Sequence, residues 1–166
     1  MQGLGINGHW IGIHDADPRA SAIYARHYSN VRGEGRRKTR GFVGPGEKMV
    51  LLTVDCSALF VWHPALTVEE IATHQLGTYR SGNGTQTGVM CSVFRNEGKV
   101  KSSDLILEAE ELAWHRWPHQ RLYTYVWDAK VKSVNPGYCF KKAGWKTCGR
   151  NKDGRLTILE KLPAED

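Results

Sequence analysis

The stretch that decides the fold runs from Ser102 to Tyr138, SSDLILEAEELAWHRWPHQRLYTYVWDAKVKSVNPGY. Ser102-Ser103-Asp104 opens a run in which Leu105, Ala109 and Leu112, and separately Ile106 and Ala113, recur at helical spacing, and Pro118 closes it. This predicts a helix to about Trp117. Arg121 to Asp128 (RLYTYVWD) alternates aromatic residues as a half-buried strand does. Asn135-Pro136 reads as the cap and first-turn proline of a short helix that ends at Gly144.

The pattern extends in both directions. Trp10 to His14 (WIGIH) alternates like a first strand. Asp17-Pro18 is an N-cap with proline at the first helical position, and that helix is expected to reach about Tyr28, with Ile23 and His27 on one face and Tyr24 and Tyr28 on another. Residues 1–9 are glycine-rich, and 32–40 (RGEGRRKTR) form a basic, glycine-containing loop. Phe42 to Glu47 has turn chemistry, and Lys48 to Val61 carries two apolar runs around Asp55, a hairpin or two paired strands. Glu69 to Leu76 reads as a short helix, 77–88 as a surface loop, Val89 to Arg95 as a buried strand and Leu156 to Leu162 as a final strand. The order implies one α/β domain over residues 1–166 with a mixed sheet.

Composition bounds what this domain does. Hydrophobic residues make up 40% of 166, enough for a core, and no apolar run approaches the roughly 18 residues of a membrane span. The N-terminus shows no basic region followed by an apolar run, so a secretory leader is not expected and the chain is read as cytoplasmic. Cys56, Cys91, Cys139 and Cys148 form no CxxC pair, which argues against structural zinc and for reduced thiols. Six tryptophans and six tyrosines want polar partners for their ring N–H and O–H groups, so some are expected to line a pocket or groove. The net charge of +6 suits a polyanionic partner and equally a merely basic soluble protein.

Several polar residues sit where chemistry is done. Asp128 ends an apolar strand, a place where a carboxylate acts as base, metal ligand or amine anchor, or simply caps the following turn or pairs with Lys130. Ser102 and Ser103 are read as an N-cap, or as part of an anion site at a helix start. His27 is a proton shuttle, a metal ligand or a packed structural residue, and Tyr28 stands beside it. Tyr138 is a hydrogen-bond donor to substrate or a core tyrosine. Arg95 ends its strand as a bidentate anion holder or an exposed strand end, and His63, between Trp62 and Pro64, is read as structural. Arg32, Arg36, Arg37, Lys38 and Arg40, with only Glu34 against them, can track a phosphate backbone or form a solvated loop. No Ser-His-Asp triad is legible.

Taken in order, these motifs resemble the Mom family of bacteriophage DNA-modification proteins. The resemblance rests on Ala25 to Ser29 (ARHYS), Val93 to Arg95 (VFR) and the segment Ser102 to Arg150, about two thirds of the chain. It implies a GNAT-like fold, a mixed, mostly antiparallel sheet flanked by helices. The implied activity is transfer of a carbamoylmethyl group to the exocyclic amine of adenine in double-stranded DNA, with the base extruded, which shields the DNA from restriction. The implied functional residues are His27, Tyr28, Arg95, Ser103 (or Ser102), Asp128 and Tyr138. Iron, held by His27 and Asp128, and an acyl-CoA donor, met by Ser102, Ser103 and Arg95, are the implied cofactors. Asn96 to Lys101 (NEGKVK) has a single glycine where a conventional acyl-CoA loop has several. The oligomeric state is open, a homodimer among the options. The rival readings are a conventional GNAT N-acetyltransferase, a non-catalytic DNA-binding protein on the same fold, and a modifier of another base.

Overall fold

A computed structural model of the chain describes residues 8–27, 41–44, 46–64, 86–127, 137–151 and 154–164. Seven strands form one sheet: β1 (Trp10–Ile13), β2 (Met49–Thr53), β3 (Ala58–Pro64), β4 (Val89–Asn96), β5 (Leu122–Trp127), β6 (Lys146–Arg150) and β7 (Leu156–Lys161), in the order β1-β2-β3-β4-β5-β7-β6. The helices are α1 (Pro18–Ala25), α2 (Ser102–Arg116) and α3 (Tyr138–Lys142). All neighbouring strands are antiparallel except β4 and β5, which the α2 crossover makes parallel. The α/β class with a mostly antiparallel mixed sheet is therefore as the sequence implies. Among the described residues no helix is long and apolar enough to cross a membrane.

Each face of the sheet carries its own core. Trp10, Leu51, Phe60, Trp62, Val89, Cys91, Leu122, Val126 and Leu159 pack against Leu105, Ile106, Ala109 and Ala113 of α2. Those four belong to the five-residue stripe read from sequence, whose fifth member, Leu112, is partly buried against the same core. On the other face Ile11, Val50, Leu52, Leu59, Val61 and Val93 pack against Ala20 and Ile23 of α1. Trp10, Trp62 and Trp145 are core elements. The Trp10 and Trp62 indoles donate to the Leu105 and Ala109 carbonyls of α2, at 3.0 and 2.9 Å. Their polar partner is thus a helix backbone and not a ligand.

Three boundaries and one strand differ from the sequence expectation. α1 ends at Ala25 with Arg26 as its C-cap, so His27 lies beyond the helix and shares no helical face with Ile23. α2 is capped by the backbone of Lys101 with no side-chain cap, so neither serine is its N-cap; both lie inside its first turn. α3 starts at Tyr138 behind Gly137, whose φ of +76° and lack of Cβ bring the chain against Leu159 and Val126. β6 has no counterpart in the sequence reading. KTCGR shows no apolar alternation because this edge strand is exposed along nearly its whole length. The Asp17 cap with Pro18, the hairpin around Asp55 and the final strand are found where expected. The helix read over Glu69 to Leu76 lies outside the described residues.

The parallel junction depends on Gly88. Its φ is +108°, and a Cβ there would meet the Arg121 carbonyl oxygen at 2.2 Å, the same oxygen that accepts from Val89 N–H. Gly88→Ala is expected to destabilise the protein by about 2–4 kcal/mol, from backbone strain plus a lost hydrogen bond. Urea unfolding measures this, and a loss under about 0.5 kcal/mol, the size of an ordinary surface substitution, would contradict the junction geometry.

Candidate functional site

The parallel pairing of β4 and β5 is short. Val89, Cys91 and Met90 lie beside Leu122, Thr124 and Tyr123, and Thr124 Oγ1 donates to the Cys91 carbonyl at 2.8 Å. Beyond that point β4 follows β3 to Asn96↔Ala58, while β5 follows β7 to Trp127↔Leu156. A register shift in the β3–β4 ladder, where Val61 faces Val93 but Trp62 faces Cys91, falls at the same place. A bulge of this kind turns the strand and raises its twist. The sheet thus opens at the carboxyl ends of two parallel neighbours, the position where ligands gather in α/β folds.

On the α2 face the opening is lined by aromatic rings. Phe94 of β4 packs edge-on against Phe140 of α3, centroids 5.9 Å apart, and Phe140 packs on Trp145. Tyr138, one residue into α3, is 55% exposed, so it is not a core tyrosine. Ser103 is buried in the first turn of α2. Ser102 Oγ accepts from Asn96 Nδ2 at 3.1 Å, and the same amide donates to the Val100 carbonyl at 2.7 Å. Asn96 therefore staples the loop. Gly98 donates its N–H to Asn96 Oδ1 and presses so close to Ser57 that a Cβ would sit 2.3 Å from its hydroxyl. This glycine closes the loop onto the β2–β3 turn, where the Glu97 N–H also donates to the Ser57 carbonyl. Lys99 and Lys101 are exposed beside the start of α2, which suits an anion, and the loop has one glycine in place of a glycine-rich cradle.

On the α1 face, Arg95 and His27 meet. Arg95 pairs in register with Leu59 of the α1-side core, whereas Phe94 pairs with Phe60 of the α2-side core. Glu97 clamps both elements: Arg26 reaches its two carboxylate oxygens at 2.7 and 2.8 Å, and Arg95 Nε donates to it at 2.7 Å. These bonds, that from Arg26 first, hold the Glu97 carboxyl down to about 2. Arg95 is thus an anion holder whose anion is a side chain of the same protein. His27 is buried beside this clamp. Desolvation and then the Arg95 charge lower its pKa to about 4, against a backbone hydrogen bond with Phe94 that favours the proton. The ring is neutral at physiological pH.

The structure brings His27 to Arg95, and sets Ser102, Ser103 and Tyr138 around the same strand end on the opposite face. Asp128, Tyr28 and the basic residues Arg32, Arg36, Arg37, Lys38 and Arg40 lie outside the described residues. Among the described residues no three His, Cys, Asp or Glu side chains gather to hold a metal. Of the two expected iron ligands, His27 has a guanidinium beside it and Asp128 lies outside the described residues. His63 is buried on β3, and the four cysteines are free. A surface cavity of about 410 Å3 lies elsewhere, along α2, lined by Asp104, Glu108, Glu110, Glu111 and Lys161, and holds none of the candidate residues. Sequence reasoning passed over Glu97, a single acid in a loop, and Glu110, one position off the charged face of EAEEL. No protein-family model, curated protein or solved structure matches the chain.

Two buried groups titrate in opposite senses. Burial raises the Glu110 carboxyl to about 7, partly offset by Lys161, whose Nζ lies 2.5 Å away, and by the Trp145 indole. A raised folded pKa contributes stability that is full below about 4.5 and lost as pH rises through 7. His27, lowered from 6.5 to about 4, contributes stability that is full above 6.5 and lost as pH falls towards 4. Between these limits the two slopes cancel in part. Melting temperatures measured from pH 4 to 8 should therefore vary little in the wild type. Glu110→Gln should expose a loss on acidification, and His27→Gln a loss on alkalinisation. Parallel profiles in all three proteins would refute the assignment.

Proposed function

We propose that the chain is a DNA-modifying transferase of the Mom type on a GNAT-like fold, acting on the exocyclic amine of adenine. The observation that carries the reading is the opening between β4 and β5 directly before the start of α2. Parallel strands that splay beside a central helix are the hallmark of GNAT acyltransferases, and Arg95 at the end of β4 and Ser102 and Ser103 at the start of α2 are candidate residues that border this opening. Duplex DNA is the partner that the +6 charge and the basic 32–40 loop favour.

The chemistry divides by environment. The exocyclic amine is a poor nucleophile because its lone pair is delocalised into the ring. Its attack on the donor carbon forms the new C–N bond and breaks the bond to the donor's leaving group. The amine proton must pass to a base. A neutral, buried His27 beside Arg95 resists becoming imidazolium, so its role is to position by hydrogen bonding, and the proton falls to Asp128. Exposed Tyr138 is the donor that steadies negative charge on the departing group, with the first turn of α2 at Ser103. Arg95 acts through Glu97 and Arg26 by fixing the strand end. The single glycine of the Asn96 to Lys101 loop counts against the rival N-acetyltransferase, which needs conventional acetyl-CoA binding.

Mass spectrometry of nucleosides from DNA co-expressed with the protein tests this directly. Wild type should yield a carbamoylmethylated deoxyadenosine. Asp128→Ala should abolish it, and Tyr138→Phe should lower it by about 10²-fold, as loss of one charge-stabilising donor does. Unmodified DNA from the wild type, or full modification by Asp128→Ala, would sink the proposal.

A further inference from the structure

The positive charge of the chain is not spread evenly. Residues 138–156 hold six basic residues against one acidic, and 32–40 five against one, so the remainder of a chain of net +6 is negative. The first segment is not a loop. It is α3, the edge strand β6 and the turn into β7, which begins at Tyr138 and runs away from the β4–β5 opening along one margin of the sheet. Lys141, Lys142, Lys146, Arg150 and Arg155 are all exposed along it. A bulge between Thr147 and Gly149 sets Lys146 opposite Glu160 and Arg150 opposite Thr157, three ladder positions apart, about 10 Å or about three base-pair rises of duplex DNA. The nearest described acid in the ladder, Glu160, faces Lys146 in register but is held by Arg121.

We infer that this α3–β6 margin is a second DNA-binding strip, which seats the phosphate backbone of duplex DNA beside the site and leads it to Tyr138. The inference rests on the DNA-modifying reading. An open strand edge also invites a second copy of the chain. Antiparallel pairing of β6 with itself would set Lys146 and Arg150 against their own kind, which disfavours that occupant. A polyanion has the complementary charge. The strip is sequence-neutral, because phosphate contacts fix register and orientation without reading bases.

The test compares the full chain with a Lys141→Gln, Lys142→Gln, Lys146→Gln variant. Binding to a labelled duplex of about 30 base pairs is followed by anisotropy between about 50 and 200 mM salt. The slope of log K against log salt should fall in magnitude by about 2 to 3 in the variant, with affinity at the lower salt weaker by about tenfold or more. Because the three side chains are exposed, circular dichroism and melting should match wild type. A wild type that binds duplex with a slope the variant leaves unchanged overturns the strip, while nucleoside modification in the same cells keeps the DNA-modifying reading alive. A wild type that binds no duplex overturns the strip as well. So does a dimer, seen by sedimentation, that tightens in the variant with DNA binding unaltered.

Discussion

The structure depends on how α2 is fixed over the sheet. Apolar packing alone lets a helix slide by fractions of a turn, because the hydrophobic effect is non-directional. Here the indoles of Trp10 on β1 and Trp62 on β3 seize backbone carbonyls one helical turn apart, those of Leu105 and Ala109. Two buried carboxylates reach out on either side. Glu108 receives the His9 backbone N–H and Nδ1, both at 2.8 Å, and Glu110 meets Lys161 of β7. Lys161 in turn donates to the Ala143 carbonyl at the end of α3. One helix is thereby tied to β1, β3, β7 and α3, and its first turn, with Ser103, can stand in only one place relative to β4.

The opposite face is ordered by charge. Exposed ion pairs contribute little singly, but Arg26 grips Glu97 bidentately while Arg95 shares the same carboxylate, which makes a network with fixed geometry. That network bolts the end of α1 to the end of β4 and leaves a guanidinium against a buried imidazole. Burial first, and then that guanidinium, lower the His27 pKa to about 4.

Much of this was legible in the chain itself. The periodic stripe of α2, the Asp17-Pro18 start and the aromatic alternation of β5 are local patterns that tertiary packing only completes. Cap and boundary positions were less so. Pro18 marks a helix start, but nothing local stops α1 at Ala25, because its end is set by Arg26 reaching Glu97, 71 residues away. The serines read as a cap yield to Lys101 because Asn96 claims the Ser102 hydroxyl. β6 was invisible because an exposed edge strand needs no hydrophobic face. Of the candidate site, the meeting of His27 with Arg95 could not be read from spacing, since 68 residues and a sheet register separate them.

The three-residue parallel ladder has a consequence for how the molecule comes together and comes apart. β1 to β4 form one run of antiparallel neighbours, and β5, β7 and β6 another. Between Val89–Cys91 and Leu122–Thr124 lies their only direct hydrogen-bonded seam among the described residues. Each half can zip by hairpin-like local contacts, whereas the seam waits for α2 to dock and close a long loop. So short a seam leaves the two halves free to open as separate cooperative units, and the slowest amide exchange is expected in β3 and in α2, which grips both.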